Sequence, residues 1–292
     1  MHPQIYEGQI WRPPSEAKSL ILQVSIGCSW NACHFCISYK KKRFRVKSLE
    51  KIQQEINIAK KYYPRPQRIF LADGDALAIE TDVLISILKL IHTNFPQVER
   101  IGLYAYARNA LEKNFSELSS IHDAGINIAY LGLESGDDTV LHDMRKGVTN
   151  EENIEACFKL QKAGITLSII SILGLGGKSR WQENAKKTAE SVCNINPKYF
   201  APLTLMIPDG TPLAKRVHRS EFEPLTPHET LEELKLLVSG LDKLTNCVFR
   251  TNHASNYVTL GGILSRDQNL LINKIETLIA TGTLKHELFR GL

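Results

Sequence analysis

Six nearly continuous apolar runs recur along the chain: SLILQVSI (19–26), RIFLA (68–72), RIGLYAYA (100–107), NIAYLGL (127–133), TLSIISIL (166–173) and YFAPLTLMI (199–207). They lack the alternation of a half-exposed strand and read as strands buried on both faces, as in parallel sheets. Between them, SLEKIQQEINIAKKYY, TDVLISILKLIHTNF, NFSELSSIHDAG, TNEENIEACFKLQKAG and SRWQENAKKTAESVC carry helical periodicity, and two of these stretches end in Ala-Gly. Parallel strands joined by helices require right-handed crossovers, so the fold class is α/β, a barrel or an open doubly wound sheet. The carboxyl ends of such strands share one face. There the unusual residues collect: Cys28, Asp73-Gly74-Asp75, Arg108, Glu134-Ser135-Gly136, Gly174-Leu175-Gly176-Gly177 and Pro208-Asp209-Gly210.

After the sixth run the rhythm loosens into a Pro-rich turn, a helix from about Pro227 to Leu241, an extended NCVFRTNHASNYV and a last helix from about Arg266 to Ala280. The expected organisation is an N-terminal extension (1–18), a barrel core (19–212) and a C-terminal helical and extended cap (213–292). At 43% hydrophobic and 23% charged residues the chain can bury a sizeable core. No apolar run approaches the ~18 residues of a membrane span, and the N-terminus lacks the apolar core of a signal peptide. The reading is a soluble cytoplasmic protein with no membrane partner. Net charge is +5, and KKKRFRVK (40–47) holds six basic residues. That run could touch RNA or a phosphorylated substrate; without an aromatic-rich module beside it, nucleic acid is possible but not favoured.

GCSWNACHFC (27–36) packs three of the six cysteines, Cys28, Cys33 and Cys36, into one loop. A structural zinc site takes four protein ligands and disulfides use cysteines in pairs, so three thiolates suit a metal centre with one open position. Cys157, Cys193 and Cys247 are scattered and read as buried thiols. A [4Fe-4S] cluster ligated by these three would leave one iron open, with the aromatic ring of Phe35 beside it. Zinc held by the three cysteines and His34 is the rival, although it leaves the strand-end residues unexplained.

In this loop the chain resembles the radical S-adenosylmethionine superfamily, whose usual motif is C-x3-C-x2-C with an aromatic before the last cysteine. Here the spacing is C-x4-C-x2-C, and Asn31 can take the left-handed conformation that absorbs one extra residue. The resemblance covers roughly residues 18–210 and implies a partial (β/α)6 TIM-like barrel. It also implies S-adenosylmethionine chelated to the open iron, reductive cleavage to a 5'-deoxyadenosyl radical, and hydrogen abstraction from a substrate. LADGDA looks like the family's Gly-Gly-Glu-Pro motif, which would put Asp73, Gly74 and Asp75 at the methionyl amino group. Glu134 and Ser135 look like the ribose motif of the subgroup of anaerobic coproporphyrinogen oxidase and Elongator-type enzymes. ISILGLGG resembles the adenine motif through Ile172 and Gly174, with Gly177 where the family has glutamate. Leu203 to Met206 would offer backbone groups to the adenine edge.

The resemblance implies an enzyme acting on a small-molecule or cofactor-precursor substrate, with flavodoxin or ferredoxin as electron donor. RNA modification is the runner-up. A non-catalytic iron-sulfur carrier or sensor is the alternative of a different class, disfavoured because no fourth cysteine stands nearby. Tyr104, Tyr106 and Arg108 share a strand face, interior or helix-packing, and Arg108 ends that strand as a candidate catalytic residue. FRTNHASN (249–256) is polar and lies outside the barrel pattern. It is expected to close over the barrel mouth, with His253 and Asn256 holding the substrate.

Overall fold

The computed structural model describes residues 6–291. Its elements run β1 (Leu20–Gln23), β2 (Ser25–Ile26), β3 (Arg45–Val46), α1 (Leu49–Tyr62), β4 (Arg68–Ala72), α2 (Thr81–Asn94), β5 (Arg100–Ala105), α3 (Ala107–Glu112), α4 (Phe115–Asp123), β6 (Ile126–Glu134), α5 (Asp138–Asp143) and α6 (Asn150–Lys162). They continue with β7 (Thr166–Leu173), α7 (Gly177–Ile195), β8 (Tyr199–Thr204), α8 (Pro212–His218), α9 (Pro227–Ser239), β9 (Cys247–Arg250), β10 (Gly261–Leu264) and α10 (Gln268–Thr281). The main sheet has eight strands in the order β1-β4-β5-β6-β7-β8-β9-β10, while β2 and β3 form a separate pair.

One compact unit comprises the residues up to Asn31, Ser38–Leu131 and Glu155–Leu167. Here β1, β4, β5 and β6 pair in parallel, β1 is buried throughout, and β4 is buried except for Arg68. That is the burial their unbroken apolar sequences require. Phe70 meets Tyr104 and Tyr130 edge-on at 5.0 and 5.8 Å, which assigns Tyr104 to an aromatic cluster. The N-terminal extension packs along β1: the Tyr6 hydroxyl donates to Ile21 O at 3.1 Å and the Glu7 N–H to Gln23 Oε1 at 2.8 Å. Of the helices flanking these strands, α4 starts in a reciprocal capping box between Asn114 and Glu117, a device worth about 1 kcal/mol.

The other unit comprises Ala32–Ile37, Gly132–Ile154 and Ser168–Leu292. Its strands β7, β8 and β9 are parallel, and β10 returns antiparallel to β9. The sheet therefore runs past the six strands expected from the apolar runs into the segment expected as a cap. Only Tyr199↔Val248 and Phe200↔Phe249 join β9 to β8, a strand too short to stand out within its polar surroundings. Along β8 every second residue is buried, and Ile172 and Leu203 pair in register on the less buried face.

Candidate functional site

In the first unit, Asp73 follows β4 with no exposed surface and ties down both flanks of the cysteine loop. Its Oδ2 accepts the Gly27 N–H at 3.1 Å, Lys42 Nζ at 2.6 Å and Gln23 Nε2 at 3.3 Å. Gly27 precedes Cys28 and Lys42 closes the far side, so one carboxylate sets where the loop begins and ends. Asp73 Oδ1 is buried without a hydrogen-bond partner among the described residues, an acceptor that a ligand ammonium group would satisfy. Asn31 has φ 46°, the left-handed turn expected of the extra loop residue. Its Nδ2 donates to Tyr39 O at 2.7 Å and Lys42 O at 3.2 Å, and its own carbonyl accepts Lys40 Nζ at 2.7 Å.

Asp75 Oδ2 accepts from the Ser29 hydroxyl and from Asn109 Nδ2 on α3. Gly74 is required by close approach, because a Cβ there would sit 2.5 Å from the Tyr39 ring. Trp30 stacks on Tyr106 with centroids 6.2 Å apart, and the Arg108 guanidinium lies 4.5 Å over the indole. Arg108, expected as a catalytic group, thus covers an aromatic of the cysteine loop.

The basic run is divided between the fold and the surface. Lys40 and Lys42 hold the loop as above and Lys47 pairs with Glu55 at 2.7 Å, whereas Lys41, Arg43 and Arg45 are exposed, Arg45 beside the exposed Glu7. Half of its cations are therefore used in folding this segment and half face solvent.

In the second unit the His34 N–H donates to Met144 O at 2.9 Å and His34 O accepts the Leu213 N–H at 3.1 Å, fixing residues 32–37 to the ends of α5 and α8. Phe35, Ile172 and Leu205 pack on one apolar cluster with Val140, Met144, Leu175, Leu213 and Phe222. Phe35, beside Cys36, is thereby brought together with the expected adenine-side residue Ile172, and Leu203 lies in register beside it. The Leu205 N–H donates to Leu173 O at 2.9 Å, and Met206 follows in the partly exposed end of the same segment.

Glu134 ends β6 at φ 64°, a conformation that costs a non-glycine residue roughly 1–2 kcal/mol and marks a constrained site. Its Oε1 accepts Lys146 Nζ at 3.0 Å. Asp137, just beyond, is buried. Burial raises its pKa, but Lys187 at 2.9 Å and Arg180 at 2.7 Å more than offset this and hold the carboxyl below its usual range. Gly174 leaves β7 at φ 81°, and its amide donates to Glu233 of α9 at 2.5 Å.

The C-terminal segment corrects one expectation. Asn256 is buried, its Oδ1 accepting the Thr204 hydroxyl at 3.0 Å and its Nδ2 donating to Pro202 O at 3.0 Å. Both ends of the amide are used to lock this segment to β8, so Asn256 is a structural residue rather than a substrate contact. His253 Nδ1 accepts the Ser255 N–H at 3.1 Å, which leaves the ring proton on Nε2. Burial, aided by nearby Lys285, lowers its pKa and favours the neutral ring. Arg290 fastens the chain's last residues here, donating to Ser255 O at 2.6 Å and Leu205 O at 3.2 Å while lying 3.9 Å over Tyr257.

Cys28, Cys33 and Cys36 are half-buried thiols outside any disulfide. Among the described residues no three His, Cys, Asp or Glu side chains are gathered around a single point. Cluster thiolates bind separate irons and stand farther apart than ligands of one ion, and a set of three soft donors fits iron-sulfur.

Comparison with known proteins gives a family match: the model described as Radical SAM superfamily covers residues 22–189, more than half the chain. An uncharacterized methyltransferase of Pyrococcus horikoshii is 25% identical over 56% of this chain and 35% of its own length. A tRNA-2-methylthio-N(6)-dimethylallyladenosine synthase of Dehalococcoides mccartyi is 23% identical over 63% of this chain and 44% of its own. The chain therefore spans less than half the length of these curated relatives. The crystal structure of methylornithine synthase superposes with a TM-score of 0.55 at 14% identity, over 91% of this chain and 82% of that one, a likeness of fold. No helix among the described residues is long and apolar enough to cross a membrane.

Proposed function

The chain belongs to the radical S-adenosylmethionine superfamily, enzymes that use a [4Fe-4S] cluster and S-adenosylmethionine, and from that membership we propose that it generates a 5'-deoxyadenosyl radical to abstract hydrogen from a small-molecule or cofactor-precursor substrate. The observation that carries the reading is the cysteine loop, whose flanks are gathered on one buried carboxylate, Asp73. Cys28, Cys33 and Cys36 hold the cluster. When bound, cluster and cosubstrate supply reductive cleavage of the sulfonium, with the electron coming from a flavodoxin or ferredoxin.

The protein's own part is binding and orientation. Asp75, its carboxylate oriented by Ser29 and Asn109, and Asp73 receive the methionyl ammonium, a charge-assisted contact. Glu134 takes the ribose hydroxyls, because a carboxylate accepts from two vicinal donors, and Ser135, with no exposed surface and its hydroxyl donated to Asn184, fixes the backbone that presents it. Phe35, Ile172 and Leu203 wall the adenine, and Gly174 with the Leu203 to Met206 segment offers backbone groups to its edge. His253, neutral with its proton on Nε2, donates one hydrogen bond to the substrate, and Arg108 stiffens the cysteine loop through Trp30. Holding reactants this way raises turnover more than it raises binding.

The similarity to a tRNA-modifying synthase supports a second reading, RNA modification, against which the use of Lys40, Lys42 and Lys47 within the fold weighs. Anaerobic reconstitution, dithionite reduction and assay for 5'-deoxyadenosine test the proposal. Product that vanishes in Cys33→Ala supports it, and no product from fully iron-loaded protein refutes it. Salt-sensitive tRNA binding at physiological ionic strength would favour the second reading.

A further inference from the structure

One buried carboxylate lies outside everything assigned above. Glu233 sits in the apolar stripe of α9 with Thr230, Leu234 and Leu237 and has no exposed surface. Its Oε2 accepts the Gly174 N–H at 2.5 Å and its Oε1 accepts Asn184 Nδ2 of α7 at 2.7 Å. Asn184 Oδ1 in turn accepts the Ser135 hydroxyl at 2.5 Å, and Ser135 Oγ accepts the Asp137 N–H at 2.9 Å. Above pH about 7, where Glu233 is ionised, the direction of this chain of bonds is set. The carboxylate then only accepts, so Asn184 turns its NH2 toward Glu233 and its oxygen toward Ser135, and Ser135 donates.

The groups that face Glu233 from α7 and β7, the Asn184 amide and the Gly174 N–H, are neutral, so among the described residues no cation contacts this buried carboxyl. Burial accordingly raises its pKa. A glutamine or an apolar residue would avoid that desolvation cost. The turn after β7, Gly174-Leu175-Gly176-Gly177, has no polar side chain of its own to hold the Gly174 amide. The carboxylate that does so arrives from a helix far along the chain, and through Asn184 it also reaches the end of β6.

We propose that Glu233 is a positioning residue for the nucleoside half of S-adenosylmethionine, holding the Gly174 turn and, through Asn184 and Ser135, the end of β6 that carries Glu134. This rests on the reading above that Glu134 and Gly174 bind that cosubstrate.

The test compares Glu233→Gln, the exchange Glu233→Gln with Asn184→Asp, and Ser135→Ala, each cluster-loaded. Affinity for S-adenosylmethionine is read by calorimetry at pH ~8.5, where Glu233 is ionised, and folding by thermal melting at the same pH. Glutamine keeps the acceptor for Gly174 but presents an NH2 to Asn184, which must flip and turn its own NH2 toward Ser135. Affinity should fall about tenfold, the worth of one hydrogen bond, with iron content preserved and no fall in melting temperature. In the exchange, the carboxylate introduced at position 184 accepts from both the amide introduced at position 233 and the Ser135 hydroxyl. The original polarity returns, and affinity should recover to within about twofold of wild type. If Ser135→Ala weakens binding and Glu233→Gln does not, the inference falls while the site reading stands. A folded, loaded exchange variant that fails to recover also overturns it. If neither single variant changes affinity, the chain of bonds does not reach the cosubstrate and the inference falls, while formation of 5'-deoxyadenosine still tests the site reading.

Discussion

Replacing Glu233 with glutamine should reverse the order of stability of the two proteins between acid and alkaline pH. Burial pushes the Glu233 carboxyl from an ordinary 4.5 to about 7, against the pull of the Asn184 and Gly174 donors. A raised folded-state pKa means that the native protein holds its proton where the unfolded chain has lost it. The contribution to stability is fully present below pH ~4.5 and is lost as pH rises through about 7. A gap of that size corresponds to about 3 kcal/mol. Glutamine does not titrate, so its curve lacks this decline. It gives up the bond from Asn184 in its present direction, a loss of about 1 kcal/mol. Wild type should therefore be the more stable protein near pH ~4 by about 1 kcal/mol, and Glu233→Gln near pH ~8.5 by about 2 kcal/mol. Urea unfolding of both proteins without cluster, followed by tryptophan fluorescence at half-unit steps from pH ~4 to ~8.5, measures the difference. Parallel curves would refute the reasoning, because they would mean that Glu233 does not change protonation across this window.

Asp73→Ala strands Lys42 and the Gly27 amide and should cost about 3–5 kcal/mol, lowering the urea midpoint and the iron bound on reconstitution. Full iron loading at an unchanged midpoint would show that the loop is held elsewhere. Alanine at Cys28, Cys33 or Cys36 should each abolish iron-sulfur absorbance, whereas Cys157→Ala, at a buried apolar position, should leave it intact. Asn256→Ala should lower thermal stability by about 1–3 kcal/mol through two lost buried hydrogen bonds, with affinity for S-adenosylmethionine unchanged; lost turnover at unchanged stability would restore it as a substrate contact.

The six barrel strands were legible because each is an unbroken apolar run, and strands β4 to β8 begin and end within two or three residues of those runs. Strand β9 was not, since two register pairs leave little periodicity in a polar segment. At the site the cysteines, the paired aspartates and Glu134 stand out by residue type and position, and Asn31 was readable from its tolerance of left-handed backbone. Lys42 and Lys47 were hidden within a run whose composition suggests solvent or nucleic acid, and only tertiary contact with Asp73 and Glu55 reveals their work. Asn109 and Lys146 carry no local signal, because their partners lie far along the chain. Glu233 did leave a trace, a charge within the apolar stripe of α9. Asn256 misled because a buried amide and a ligand-binding amide look alike in sequence.

The cluster proposed for the three cysteines of one loop leaves one iron for S-adenosylmethionine. Electron-nuclear double resonance on the reduced, reconstituted protein with S-adenosylmethionine carrying 17O in its carboxylate tests this directly. A resolved 17O coupling to the cluster is the predicted result. A cluster spectrum that is the same with and without the labelled cosubstrate would contradict it.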